Sequence, residues 1–125
     1  MKSDEHSIQC TVVQLLRLGA PDHVVFMAIP NGEYRSKRTA GRLKAQGVAA
    51  GAPDLLIIVR GVAHGLELKT IKGRQSPAQR LMERRWEAAG GRYEVARGID
   101  EAIAVLTHWG ALSGRVQALA GKAAA

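Results

Sequence analysis

Cysteine is almost missing from this 125-residue chain: Cys10 stands alone. A disulfide framework is therefore excluded, and a reducing, intracellular setting is the natural expectation. The same scarcity argues against structural zinc, and His6, His23, His64 and His108 show no zinc-ligand spacing. Cys10 falls within an apolar helical stripe, which suggests packing rather than nucleophilic chemistry. No apolar run is long enough to span a bilayer, so no membrane partner is expected. The N-terminus, Met1-Lys2-Ser3-Asp4-Glu5-His6, is too polar for a secretory signal. No Gly-Lys-Ser/Thr follows Gly47-Val48-Ala49-Ala50-Gly51, which excludes a phosphate-binding P-loop. No internal repeat or dividing linker is present. A single domain over residues 1–110 is expected, followed by an Ala/Gly-rich tail over 111–125.

Acidic residues are also in the minority. Eleven Asp and Glu face 18 Lys and Arg, a formal charge of +7. Such an excess attracts polyanions, of which nucleic acid is the usual one. Five of the cations, Arg35, Lys37, Arg38, Arg42 and Lys44, fall in one acid-free stretch. That stretch suits a phosphate backbone, and equally a solvated helix face.

What is there reads as alternating helices and strands. Ile8, Val12, Leu15 and Leu16 recur at helical spacing over residues 4–18, and Gly19 and Pro21 close the segment. Val24 to Ile29 is β-like and stops at Pro30-Asn31-Gly32. Residues 35–46 could form a helix with a thin apolar stripe. Residues 54–60, Asp-Leu-Leu-Ile-Ile-Val-Arg, read as a central strand covered on both faces. A turn at Gly61 returns residues 63–70 as its hairpin partner. Ser76-Pro77-Ala78-Gln79 carries a helix N-cap, a proline at the first helical position and a capping box. That helix runs to Gly90, Tyr93 to Ala96 is a further strand, and Asp100 opens a last helix through Trp109. Trp86 and Trp109 lie at helical spacing, as core or interface anchors. The order predicts an α/β fold, one mixed sheet flanked by helices.

Three of these residues could carry chemistry. Side chains alternate along a strand, so Glu67 and Lys69 share a face while Leu66 and Leu68 take the other. In a hairpin the start of one strand lies beside the end of its partner, which brings Asp54 to Glu67 and Lys69. Two carboxylates suit Mg²⁺ or Mn²⁺, which polarises a phosphate and activates water. A lysine beside them can orient the nucleophile and stabilise charge growing on phosphorus. The plain structural alternative is an exposed Glu-x-Lys strand and a turn aspartate after Pro53, and by residue type alone it is the commoner case. Lys72 and Arg74 add charge after Lys69. Gln79 could reach the site or simply complete the capping box with Ser76. Glu5 could be a further ligand, or a first-turn acid favoured by the helix dipole.

The flanking segments shift that balance. Pro53-Asp54 followed by Glu67-Leu68-Lys69 resembles the signature of the PD-(D/E)XK nuclease superfamily. Pro30-Asn31-Gly32, the basic stretch ending at Gly47, Gly51-Ala52-Pro53-Asp54-Leu55, Glu67-Leu68-Lys69 and Gly73-Arg74-Gln75-Ser76-Pro77-Ala78-Gln79 resemble the VRR-NUC family in order and spacing. The resemblance covers about residues 4–106 and departs at Ala52, where valine is commoner. It implies a restriction-endonuclease-like core, with Asp54, Glu67 and the Leu68 carbonyl holding Mg²⁺ or Mn²⁺. It makes Lys69 catalytic, Gln79 the motif glutamine of the following helix, and Glu5 the acidic residue of the first helix, with Gln9 a nearby polar alternative. Asn31, Arg35, Lys37, Arg38, Arg42, Lys44, Lys72 and Arg74 become the expected DNA contacts. Stand-alone members resemble Holliday-junction resolvases and act as homodimers, so branched DNA and a second copy are the expected partners in a bacterial or phage-infected cytoplasm. A catalytically inactive DNA-binding module, a flap- or duplex-cutting repair nuclease and a restriction-type enzyme are the alternatives.

Overall fold

The structure, a computed structural model, describes residues 4–30 and 36–113. Helix α1 (Glu5–Gly19) begins at Asp4, whose side chain accepts the Ser7 amide at 2.7 Å. This N-cap satisfies a backbone donor that the helix cannot pair internally. Ile8, Val12 and Leu16, one turn apart, form its buried stripe. Cys10 lies on the outer side and is exposed, so the packing role expected for it does not hold.

Four strands follow in spatial order β1 (Val24–Ala28), β2 (Leu55–Val59), β3 (Val62–Lys69) and β4 (Arg92–Arg97). The first three are antiparallel neighbours, and β4 pairs parallel to β3. The β2–β3 hairpin turns at Arg60 (φ 49°) and Gly61 (φ 83°). Two successive left-handed residues match the twist of the strands they join. This tight turn fixes the register Leu55↔Leu66 and hence everything at the open end of the hairpin.

Strand β2 is central, as its sequence suggests, but only one face is fully covered. Leu55, Ile57 and Val59 are buried, whereas Leu56 and Ile58 are half-buried. The buried face packs with Leu66 and Leu68 of β3 and Ala96 of β4 against α1 and α4 (Ile99–His108). On the opposite face α3 (Pro77–Ala88) covers β4 and part of β3, leaving the β1 residues Val25 and Met27 exposed. Ala111 and Leu112, grouped with the tail by composition, are buried in the core, and the Ser113 amide donates to the Gly19 carbonyl. No helix among the described residues is long and apolar enough to cross a membrane.

The basic segment does form a helix, α2 (Lys37–Ala45), capped by Ser36 and burying no residue. Across from it α3 starts with both halves of the Ser76/Gln79 capping box in place. The loop before β2 packs onto this helix start at Gly51 (φ +77°), where a Cβ would collide with the Ala78 carbonyl. Only glycine fits there, and the close approach sets where the chain enters Pro53 and Asp54.

Candidate active site

Asp54 immediately precedes β2, one residue beyond the Leu55↔Leu66 pair, and so stands opposite Glu67. Its carbonyl accepts the Ile29 amide at 2.9 Å, and its Oδ2 accepts the Leu68 amide at 2.7 Å. The side chain thus continues the ladder past the end of the strand pair. Along a strand, the N–H and C=O of one residue point the same way, and the next residue points the other. The Lys69 carbonyl accepts from Gly98 on the β4 side. The Leu68 amide and carbonyl therefore both point to the β2 side, where the amide meets Asp54.

Glu67 and Lys69 lie on the face of β3 opposite Leu66 and Leu68, as alternation requires. Glu67 is fully buried, at 0% exposure. Its Oε1 accepts a 2.5 Å hydrogen bond from the Tyr93 hydroxyl, while its Oε2 accepts none. The Lys69 Nζ lies 4.0 Å from that Oε2 and 3.8 Å from Glu5 Oε1 on α1. The structure therefore brings Glu5, Asp54, Glu67, Leu68 and Lys69 together from three elements far apart in sequence.

Burial pushes both carboxyl groups up from their ordinary range. For Asp54, desolvation leads, opposed by the Leu68 amide, with the Glu5 charge raising it further and Lys69 lowering it. For Glu67, desolvation again leads, against the Tyr93 hydroxyl and Lys69, and the Asp54 charge adds to the rise. Two anions sharing a partly dry site with one ammonium carry excess negative charge, which a cation would relieve.

Mg²⁺ and Mn²⁺ prefer oxygen ligands, and Mg²⁺ typically uses one or two carboxylates with waters and substrate phosphates. Here a buried carboxylate oxygen without a hydrogen bond lies on β3 with a second carboxylate opposite it at the start of β2. An unsatisfied buried oxygen is costly unless something binds it, so this donor set fits a hard divalent cation. Among the described residues no group of three or more His, Cys, Asp and Glu side chains is placed to hold a metal. The cation would complete its shell with non-protein oxygens.

Gln79 completes the capping box of α3. Its Oε1 accepts the Ser76 amide at 2.8 Å, so its polar end serves the helix cap. The glutamine near Glu67 is Gln75, whose Nε2 donates to Glu83 Oε1 at 2.8 Å and whose proximity favours the ionised form of Glu67. Arg97 Nε donates to the Gly73 carbonyl at 3.0 Å and ties down the same loop. Sequence reasoning missed Tyr93, Gln75 and Arg97. Tyr93 enters through the parallel β3–β4 pairing, and no local pattern announces that register.

Among the expected DNA contacts, Lys37, Arg38, Arg42 and Lys44 lie exposed on α2, and Lys72 and Arg74 lie exposed after β3. Asn31 and Arg35 lie outside the described residues. A groove of about 840 Å³ runs between α2 and α3, with Leu43, Lys44, Val48, Gln79, Met82 and Arg85 in its walls. It does not include Asp54, Glu67 or Lys69. The carboxylates sit instead at the open end of the hairpin.

A mixed sheet with helices on both faces, and an Asp/Glu-x-Lys trio where its hairpin opens, define a restriction-endonuclease-like core. No family model matches the sequence, and no curated protein matches it. Solved structures do. One described as a "VRR_NUC domain protein" superposes with a TM-score of 0.70 at 23% identity, over 86% of this chain and 88% of its own. Another, a "VRR_NUC domain", gives a TM-score of 0.60 at 20% identity over 84% and 96%. The chain has the fold of these domains, the one its motifs led us to expect.

Proposed function

We propose that this protein is a divalent-metal-dependent DNA endonuclease of the VRR-NUC type. The convergence of Asp54, Glu67 and Lys69 at one end of the hairpin carries this reading. A bound Mg²⁺ or Mn²⁺ would polarise the scissile phosphate and activate water. Asp54 and Glu67 would hold that cation, with the Leu68 carbonyl as the further ligand that the family resemblance implies. Lys69, only 12% exposed at its side chain and 4.0 Å from Glu67 Oε2, would stabilise the charge that grows on phosphorus. Glu5 orients the Lys69 ammonium from α1. The exposed cations of α2, with Lys72 and Arg74, hold the phosphate backbone without reading sequence.

The family resemblance extends the proposal to four-way junctions cut by a homodimer. A two-fold assembly presents two such sites for paired nicks. Exposed Val25 and Met27 on the edge strand β1 offer an apolar surface for the second copy.

A cleavage panel tests both parts. Four-way junction, flap, duplex and single strand are each incubated with Mg²⁺ or Mn²⁺, alongside sedimentation of the protein. The expected result is metal-dependent cutting with preference for the junction by a dimer. Asp54→Ala, Glu67→Ala and Lys69→Ala should each abolish cutting while retaining DNA binding. Full Mn²⁺-dependent cleavage by the Asp54→Ala protein would sink the assignment.

A further inference from the structure

We propose that Tyr93 is a positioning residue that fixes which oxygen of Glu67 is offered to the metal, and thereby biases the site toward Mg²⁺ and Mn²⁺ over Ca²⁺. This inference rests on the reading of Asp54 and Glu67 as metal-holding residues.

Gly65 makes room for this arrangement. It pairs in register with Tyr93 across the parallel β3–β4 ladder, and residues so paired share a face of the sheet. A Cβ on Gly65 would meet Pro53 Cγ at 2.9 Å, Tyr93 Cδ2 at 3.1 Å and Trp86 Cε2 at 3.2 Å. The missing side chain therefore lets the Tyr93 ring lie along the sheet beneath α3. From there its hydroxyl reaches Glu67, two residues further along the same face of β3. Trp86 holds the ring from the other side, edge to face at 6.2 Å between centroids, and is itself fixed by its Nε1 donating to the Ala63 carbonyl at 3.2 Å.

The consequence falls on the carboxylate. Oε1 is engaged by the hydroxyl at 2.5 Å, and Oε2 accepts no hydrogen bond. The Tyr93 hydroxyl takes up one lone pair of Oε1, so Oε2 is the oxygen more open to a cation. Mg²⁺ and Mn²⁺ accept single oxygens in a tight octahedral shell, whereas Ca²⁺ readily takes both oxygens of one carboxylate in a larger, looser one.

Tyr93→Phe removes only the hydroxyl and keeps the ring packed on Trp86. Wild type and variant are titrated with MgCl₂, MnCl₂ and CaCl₂ alone by calorimetry, without DNA, and folding is checked by circular dichroism. Loss of an outer hydrogen bond to a metal ligand typically costs about 10–100-fold in affinity. The expected result is a loss of about tenfold or more for Mn²⁺ and Mg²⁺, with Ca²⁺ affinity unchanged or increased. Trp86→Phe, which disturbs the same ring cluster and leaves the hydroxyl, should retain the wild-type order of metals. Equal affinity of wild type and Tyr93→Phe for all three ions would overturn the proposal while leaving the nuclease reading intact. So would an equal loss in Trp86→Phe. A wild-type protein that binds none of the ions and cuts no DNA would overturn both.

Discussion

Asp54 caps the end of its own hairpin: its carboxylate accepts the Leu68 amide at 2.7 Å, replacing the partner that the strand pairing no longer supplies. One residue thus closes the ladder and faces Glu67. Asparagine can accept the same amide, whereas alanine leaves it without this partner. Asp54→Asn is expected to lose cleavage yet keep the stability of the metal-free protein. Asp54→Ala should lose cleavage and about 1–3 kcal/mol of stability. Urea unfolding of the two variants beside wild type measures the difference. Equal stability of the two variants would mean that the Leu68 bond contributes nothing.

Lys69 and Glu5 differ in burial, and so in expected weight. The lysine side chain is 12% exposed and lies between two acids. Lys69→Met removes a charge from a partly dry site and should lower turnover by about 10²–10³, the range seen when one stabilising donor is lost. Glu5 is half-exposed and meets Lys69 at 3.8 Å, a pair worth no more than about 1 kcal/mol in that setting. Glu5→Gln should therefore slow single-turnover cleavage by less than about tenfold. A complete loss would make Glu5 a metal ligand in its own right.

Stability should depend on pH through the buried carboxylates. Burial raises Asp54 and Glu67 in the folded state. The folded protein therefore holds more protons than the unfolded chain between the ordinary carboxylate range and the raised values. Stability falls as pH rises through that window, and the penalty remains above it. Glu67→Gln removes one such group. In metal-free buffer its urea midpoint, relative to wild type, should rise as pH is taken from 4 to 8. A gap that does not change with pH would contradict the assigned burial effect.

The cations of α2 bury nothing, so their removal should leave the fold alone. Replacing Lys37, Arg38, Arg42 and Lys44 together by alanine should change stability by less than about 0.5 kcal/mol per site. DNA binding should weaken, and the slope of log K against log salt should flatten by roughly 0.9 for each phosphate no longer neutralised. Fluorescence anisotropy at several salt concentrations reads both. An unchanged slope would place the DNA elsewhere on the surface.

Local chemistry made much of this protein legible in its sequence. The Ser76-Pro77-Ala78-Gln79 cap and the Ile8/Val12/Leu16 stripe are short-range features, and each appears where the pattern put it, while the turn expected at Gly61 begins one residue earlier, at Arg60. Hairpin geometry was enough to bring Asp54 near Glu67 and Lys69, because the start of one strand lies beside the end of its partner, and the two-residue turn of the structure then fixes the register. The competing roles of Gln79 could not be separated that way, and the tertiary structure assigns its oxygen to the cap. Nor could the sequence place Tyr93 on Glu67 or Glu5 on Lys69. Those pairings depend on a parallel crossover and on how α1 packs, with 26 residues separating the first pair. Periodicity and turn chemistry act between near neighbours, whereas the environment of a buried carboxylate is set by whichever distant strands and helices close over it.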